Sequence, residues 1–190
     1  MQHFFTALKP LWLFAHMLGV VVGLGSAIVA DTLFFKFLKD LRISKKESEV
    51  LSYVSHLVVL GLIMLIISGG AIFLSDPVKY LASSKFITKM VIVAVIAING
   101  FALHKRLSPH LREIQWDAGA HAKNRPLRKL AFALGAISST SWFSALLLGY
   151  VKSIPANTLQ ALGGYACLLI LAVGASQLVE LYLTHYMDKK

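Results

Sequence analysis

Long unbroken apolar runs govern what this chain can fold into. Five of them are read, over residues 11–38, 50–74, 86–104, 130–151 and 159–182. A helix rises about 1.5 Å per residue, so roughly 20 apolar residues match the hydrocarbon thickness of a bilayer. In lipid the backbone can hydrogen-bond only to protein, which leaves helices and closed barrels. A barrel would show short segments of alternating polarity, and these runs do not alternate. The expected fold is all-α, one domain built as a polytopic bundle of five transmembrane helices. Composition agrees, with 57% hydrophobic and 15% charged residues, against about a quarter charged in an ordinary globular domain. The first run is too long for a signal-peptide core and lacks a small-x-small cleavage pattern, so it is read as a retained helix.

The formal net charge of +10 is distributed as a topology signal. Short cytoplasmic loops retain Lys and Arg. At the end of the first run and just beyond it come Lys36, Lys39, Arg42, Lys45 and Lys46. The segment 105–129 holds Lys105, Arg106, Arg112, Lys123, Arg125, Arg128 and Lys129, and the tail ends on Lys189 and Lys190. The alternate side has only Lys9, Lys79, Lys85, Lys89 and Lys152 of the 19 basic residues. This places the N-terminus outside and the C-terminus inside. Segment 105–129, with Pro109, Trp116 and Pro126, is read as a basic cytoplasmic loop on anionic headgroups, with room for a short interfacial helix. The bases cluster at helix ends rather than on an aromatic-studded soluble face, so no nucleic-acid partner is expected. The expectation is an integral protein of a bacterial inner membrane, with the bilayer as its first partner. Cys167 is the sole cysteine, which excludes an intrachain disulfide and a CxxCH haem-attachment site.

Ionisable groups in hydrocarbon cost about 2.5–3.5 kcal/mol each on insertion scales, so each needs a partner, a cavity or a cofactor. Counting along the runs puts His16 and Lys89 at an outer level. Asp31, His56, Asn99, His104 and Glu180 fall at an inner one. Asp31, His104 and Glu180 are near enough to helix ends to reach headgroups or a loop Lys. His16 and His56 are not. Below His16 one helix face reads Gly19, Gly23, Ala27. That strip can pack closely against another helix, or it can admit the face of a flat macrocycle. Gly100 stands one turn before His104. A neutral imidazole beside missing side chains is what a haem between helices requires. His16, His56 and His104 are therefore the candidate metal ligands, with Gly19, Gly23 and Gly100 as the small residues beside them. His16 lies too far along the membrane normal to share one iron with the inner pair. Two sites follow, or one completed by another donor such as Met90. His56 and His104 are the expected bis-His pair.

The stretch Leu11-Trp12-Leu13-Phe14-Ala15-His16, followed by Gly23-Leu24-Gly25, resembles the first helix of membrane-type protoporphyrinogen oxidases and the matching helix of copper-resistance D proteins. Lys89-Met90-Val91-Ile92-Val93, leading through Asn99 to Arg106-Leu107-Ser108-Pro109-His110-Leu111, is similar to the copper-resistance D pattern. These likenesses span roughly residues 11–111. The resemblance implies a haem- or metal-handling helical bundle with His16 and Lys89 as the carried-over positions, Lys89 facing a carboxylate such as a porphyrin propionate.

Three functions fit these readings. The first is a membrane protein binding haem b for redox chemistry or electron transfer, working with a membrane or soluble redox partner. The second is copper or divalent-metal transport, although Met17, Met64, Met90 and Cys167 form no spaced Met-x-x-Met motif. The third is a cofactor-free partner subunit, or a homo-oligomer, whose glycines and polar residues bind helices together. No nucleophile elbow, phosphate loop or zincin motif is present, so any enzymatic role would be oxidoreduction through the cofactor.

Overall fold

A computed structural model describes residues 2–37, 43–113, 121–151 and 157–187. The end of the first expected span at Leu38, Trp116, and the basic residues Lys39, Arg42, Lys152, Lys189 and Lys190 lie outside the described residues. The described chain is helical, with no strand among the described residues. In chain order the helices are α1 (Gln2–Ala7), α2 (Lys9–Phe37), α3 (Lys45–Ser75), α4 (Pro77–Leu81), α5 (Ser84–Ala102), α6 (His121–Tyr150) and α7 (Thr158–Met187). Five segments, on α2, α3, α5 with its continuation, α6 and α7, are long and apolar enough to cross a membrane.

Local chemistry sets several of the ends. Ser44 and Glu47 form a capping box at the start of α3: the Glu47 amide donates to Ser44 Oγ at 3.3 Å and the Ser44 amide to Glu47 Oε2 at 2.7 Å. Asp76 stops α3 and caps α4, accepting from the Lys79 amide at 3.2 Å, with Pro77 at the first helical position. Ser83 caps α5. Asn157 and Gln160 cap α7 reciprocally, at 3.1 and 2.9 Å.

Two boundaries differ from those expected. α5 does not end at His104 but runs on through a π-helical turn, Leu103–Leu107, and a 3-10 turn, Ser108–Glu113. α6 begins at His121, nine residues before the expected start at 130, with Pro126 inside it. The segment 105–129 is thus largely helical at both ends. An apolar run marks only the part of a helix that lipid or core must solvate. Polar turns at headgroup depth continue the same backbone ladder without an apolar signal.

Gly19 and Gly23 of α2 face Gly61 of α3. A Cβ on Gly61 would overlap the Gly23 backbone, and one on Gly23 would overlap the Trp142 indole of α6. The glycine strip therefore serves close helix packing, and it is filled by the α3 backbone and by Trp142 rather than left as a slot beside His16. Leu24, Ala27, Leu65, Ile92, Ile96, Trp142 and Tyr165 form a buried middle layer. A second buried cluster joins Ile43, Leu51, Leu107, Leu111, Ala131, Phe132 and Leu134 toward the opposite end. α7 packs mainly on α6, tied by the buried Arg128–Glu180 ion pair at 3.2 Å. Gln177 Nε2 adds a hydrogen bond to the Lys129 carbonyl at 3.0 Å, and Ser141 and Tyr165 hydroxyls meet at 2.7 Å.

Candidate functional site

The polar residues singled out by sequence separate into four places. His16 and Lys89 share one of them. Both line an open-sided cavity of about 550 Å³ between α2, α3, α5 and α6, with Met90 and Trp142 also on its lining. A cavity of this size suits a bound organic ligand, since such pockets run about 300–1,000 Å³.

The His16 ring is held in one tautomer. The Ser68 hydroxyl donates its one proton within α3, chiefly to the Met64 carbonyl at 2.5 Å. Its oxygen is then an acceptor, so His16 Nδ1–H donates to Ser68 Oγ at 3.0 Å. Nε2 keeps its lone pair. Gly69, one residue on, leaves room for the ring: a Cβ there would stand 3.4 Å from His16 Cε1. Trp142 is 1% exposed, and its buried Nε1–H has no acceptor among the described residues. A buried donor without a partner costs about 1–3 kcal/mol, a cost the packing of Trp142 against Gly23 must offset. An oriented imidazole, a thioether and an ammonium in an apolar wall are a donor set that fits a tetrapyrrole bearing carboxylates.

The inner residues do not form one cluster. Asp31 accepts a hydrogen bond from the Ser139 hydroxyl. It lines a smaller cavity, about 120 Å³, together with Gly100, His104 and several serines. That space is well below the range for a macrocycle. The His56 and His104 rings touch edge to face, 5.9 Å between centroids at 74°, and both residues are exposed on the outer surface of the bundle. His56 Nδ1–H donates to the Ser52 carbonyl at 2.8 Å. Asn99 is buried and donates through Nδ2 to the Leu134 carbonyl at 3.0 Å, joining α5 to α6. Glu180 joins α6 and α7 through Arg128 and accepts from Thr184 at 3.1 Å. Among the described residues no three His, Cys, Asp or Glu side chains stand together as a metal-binding group.

Sequence reading missed Ser68, Trp142 and Arg128. Ser68 looks like any small polar residue in an apolar helix, and Trp142 like an anchor. Arg128 was counted as a loop charge. Its signal was present in the spacing: once the helix starts at His121, Arg128 lies in its third turn, where an acidic partner is required. Comparison with family models, with characterised proteins and with solved structures finds no match to this chain.

Proposed function

We propose that this chain is an integral membrane protein that binds haem b non-covalently in the outer cavity and serves redox chemistry or electron transfer. The observation that carries the reading is the convergence of His16 and Lys89 on one cavity large enough for a macrocycle. His16 would offer Nε2 as an axial ligand, with Ser68 fixing the ring. Lys89 would pair a propionate, and Met90 is the soft donor available on the same lining. The haem would supply one-electron chemistry, while the apolar walls keep water from it. His56 and His104, already in contact with each other, are not needed for this site. The charge asymmetry of the sequence sets the proposed orientation, N-terminus outside, with the cavity in the outer leaflet of a bacterial inner membrane. A membrane or soluble redox partner belongs to the same proposal.

The test is an absorption spectrum of purified protein, oxidised and then reduced with dithionite. A Soret band with sharpened visible bands on reduction, lost in His16→Ala and retained in His56→Ala, is the expected result. Protein that stays colourless after titration with haemin would sink the haem reading. If it carries stoichiometric copper instead, metal transport replaces it.

A further inference from the structure

The outer cavity is walled by α2, α3, α5 and α6 and opens to the apolar surface of the bundle, where the lining residues Ile66, Leu81, Met90 and Leu146 are exposed. α2 and α3 touch backbone to backbone at Gly23 and Gly61. α6 closes the back with Trp142 against Gly23, and α5 packs along α6. α3 and α5, by contrast, make few close backbone approaches. Small residues line the seam between them, Gly69 and Gly70 on α3 and Ala94 and Ala97 on α5.

Aromatic rings shut the seam at the outer, water-facing end. Phe73 and Phe86 stack at 5.4 Å and 9°, and Tyr80 leans on Phe86 at 5.4 Å. At its other end the outer cavity stops at the buried layer of Leu65, Ile92 and Ile96, and the His56–His104 edge contact spans α3 and the π turn beyond it. Between these two closures the lining reaches the lipid surface: Ile66 is 52% and Met90 45% exposed although both line the cavity. A ligand entering the seam from its water-facing end meets the stacked rings and Leu81, whereas one dissolved in the bilayer meets Gly70, Ala94, Ala97 and the side chains of Ile66 and Met90.

We propose that the outer cavity is loaded sideways from the bilayer through the α3–α5 seam. Its ligand class is the membrane-dissolved amphiphile with an apolar body and a carboxylate end. The carboxylate would meet Lys89, the cation on the lining, while the body lies against Phe73, Phe86 and Trp142. This rests on the outer cavity being the ligand site. Haem, with its propionates, is one member of the class and a fatty acid is another.

Trp142 reports on the cavity from inside. A variant with Trp12→Phe and Trp116→Phe retains it as the single tryptophan. In phosphatidylcholine vesicles, dibromostearate should quench Trp142 saturably, oleate should relieve the quenching, and dibromostearate methyl ester should act more weakly. Lys89→Met should raise the half-saturating dibromostearate concentration about tenfold. Gly70→Leu adds bulk where a Cβ meets nothing within 4 Å, so the fold should persist while quenching slows severalfold. Aqueous acrylamide should have little effect. Quenching that never saturates, or that oleate does not relieve, would overturn the proposal, as would acrylamide matching dibromostearate. The two readings fail separately. Saturable quenching in a protein that binds no haem removes haem and retains lipid-side loading. Haem uptake with normal rates in Gly70→Leu and no dibromostearate effect removes the lateral route alone.

Discussion

A single hydroxyl decides which nitrogen His16 offers. With the Ser68 proton directed to the Met64 carbonyl within α3, the imidazole donates from Nδ1, and Nε2 is the nitrogen that would ligate in the proposed site. Ligand-orienting hydrogen bonds of this kind are worth roughly 10- to 100-fold in metal affinity. Ser68→Ala should therefore weaken haem binding by about that factor in a haemin titration, while His16→Ala abolishes it. If Ser68→Ala binds haem as tightly as the parent, the tautomer argument is wrong. Lys89→Met should lower haem affinity with the fold intact, and an unchanged affinity would leave Lys89 as an outer-face charge near Gly149. Gly23 tests packing apart from the site. Its Cβ would strike the indole of Trp142, and overpacking of this sort costs about 1–3 kcal/mol, so Gly23→Ala should lower the unfolding midpoint in detergent. At this scale the sequence disclosed His16 and Lys89, because depth along a straight helix follows from counting residues. It hid Ser68, whose role depends on which neighbouring helix it faces. It left the Gly19–Gly23 strip open between two uses that spacing alone cannot separate.

At the scale of elements, α7 is the most lightly buried of the five long helices, and polar bonds hold much of it in place. Arg128 and Glu180 are both 0% exposed at 3.2 Å. Removing one partner of a buried pair strands the other charge and costs about 3–5 kcal/mol, whereas replacing both with apolar residues of similar volume is often neutral. Glu180→Gln should accordingly destabilise the bundle strongly, and Arg128→Met with Glu180→Leu should recover most of the loss. Equal destabilisation by the single and double changes would show that the pair contributes no more than its packing. Glu180 was legible as a polar residue with a basic partner, but the partner was not, because the expected helix began two residues after Arg128. Helix ends follow capping and polar turns, and the five apolar cores follow hydrophobicity, so the cores were read closely and the ends by several residues less. The π turn that carries His104 has no apolar signature at all. The inner polar residues sit on separate contacts because each faces a different neighbouring helix: Asp31 meets Ser139, Asn99 the Leu134 carbonyl and Glu180 Arg128.

Across the whole molecule, the two cavities lie on opposite sides of the buried layer containing Leu24, Ile92, Ile96 and Trp142, so orientation decides which aqueous phase each is nearest. Lys36 at the end of α2, Lys45 and Lys46 at the start of α3, Lys105 and Arg106 in the π turn and Arg125 near the start of α6 all fall at the end of the bundle away from His16. Arg128 and Lys89 are held in the interior, and setting them aside leaves the asymmetry between the two ends intact. Positive loops are retained in the cytoplasm, and an odd number of spanning segments puts the two termini on opposite faces. The prediction is that a green fluorescent protein fused to the C-terminus will be bright and an alkaline phosphatase fused there inactive. A thiol-reactive, membrane-impermeant label should reach a cysteine placed at Val78, which is 80% exposed on α4, in intact cells of a Cys167→Ala background. The opposite pattern in both assays would turn the His16 cavity toward the cytoplasmic leaflet. Its ligand would then be drawn from lipid on the side where the cell makes such molecules, and a cytoplasmic redox partner would face the aromatic closure rather than the basic end.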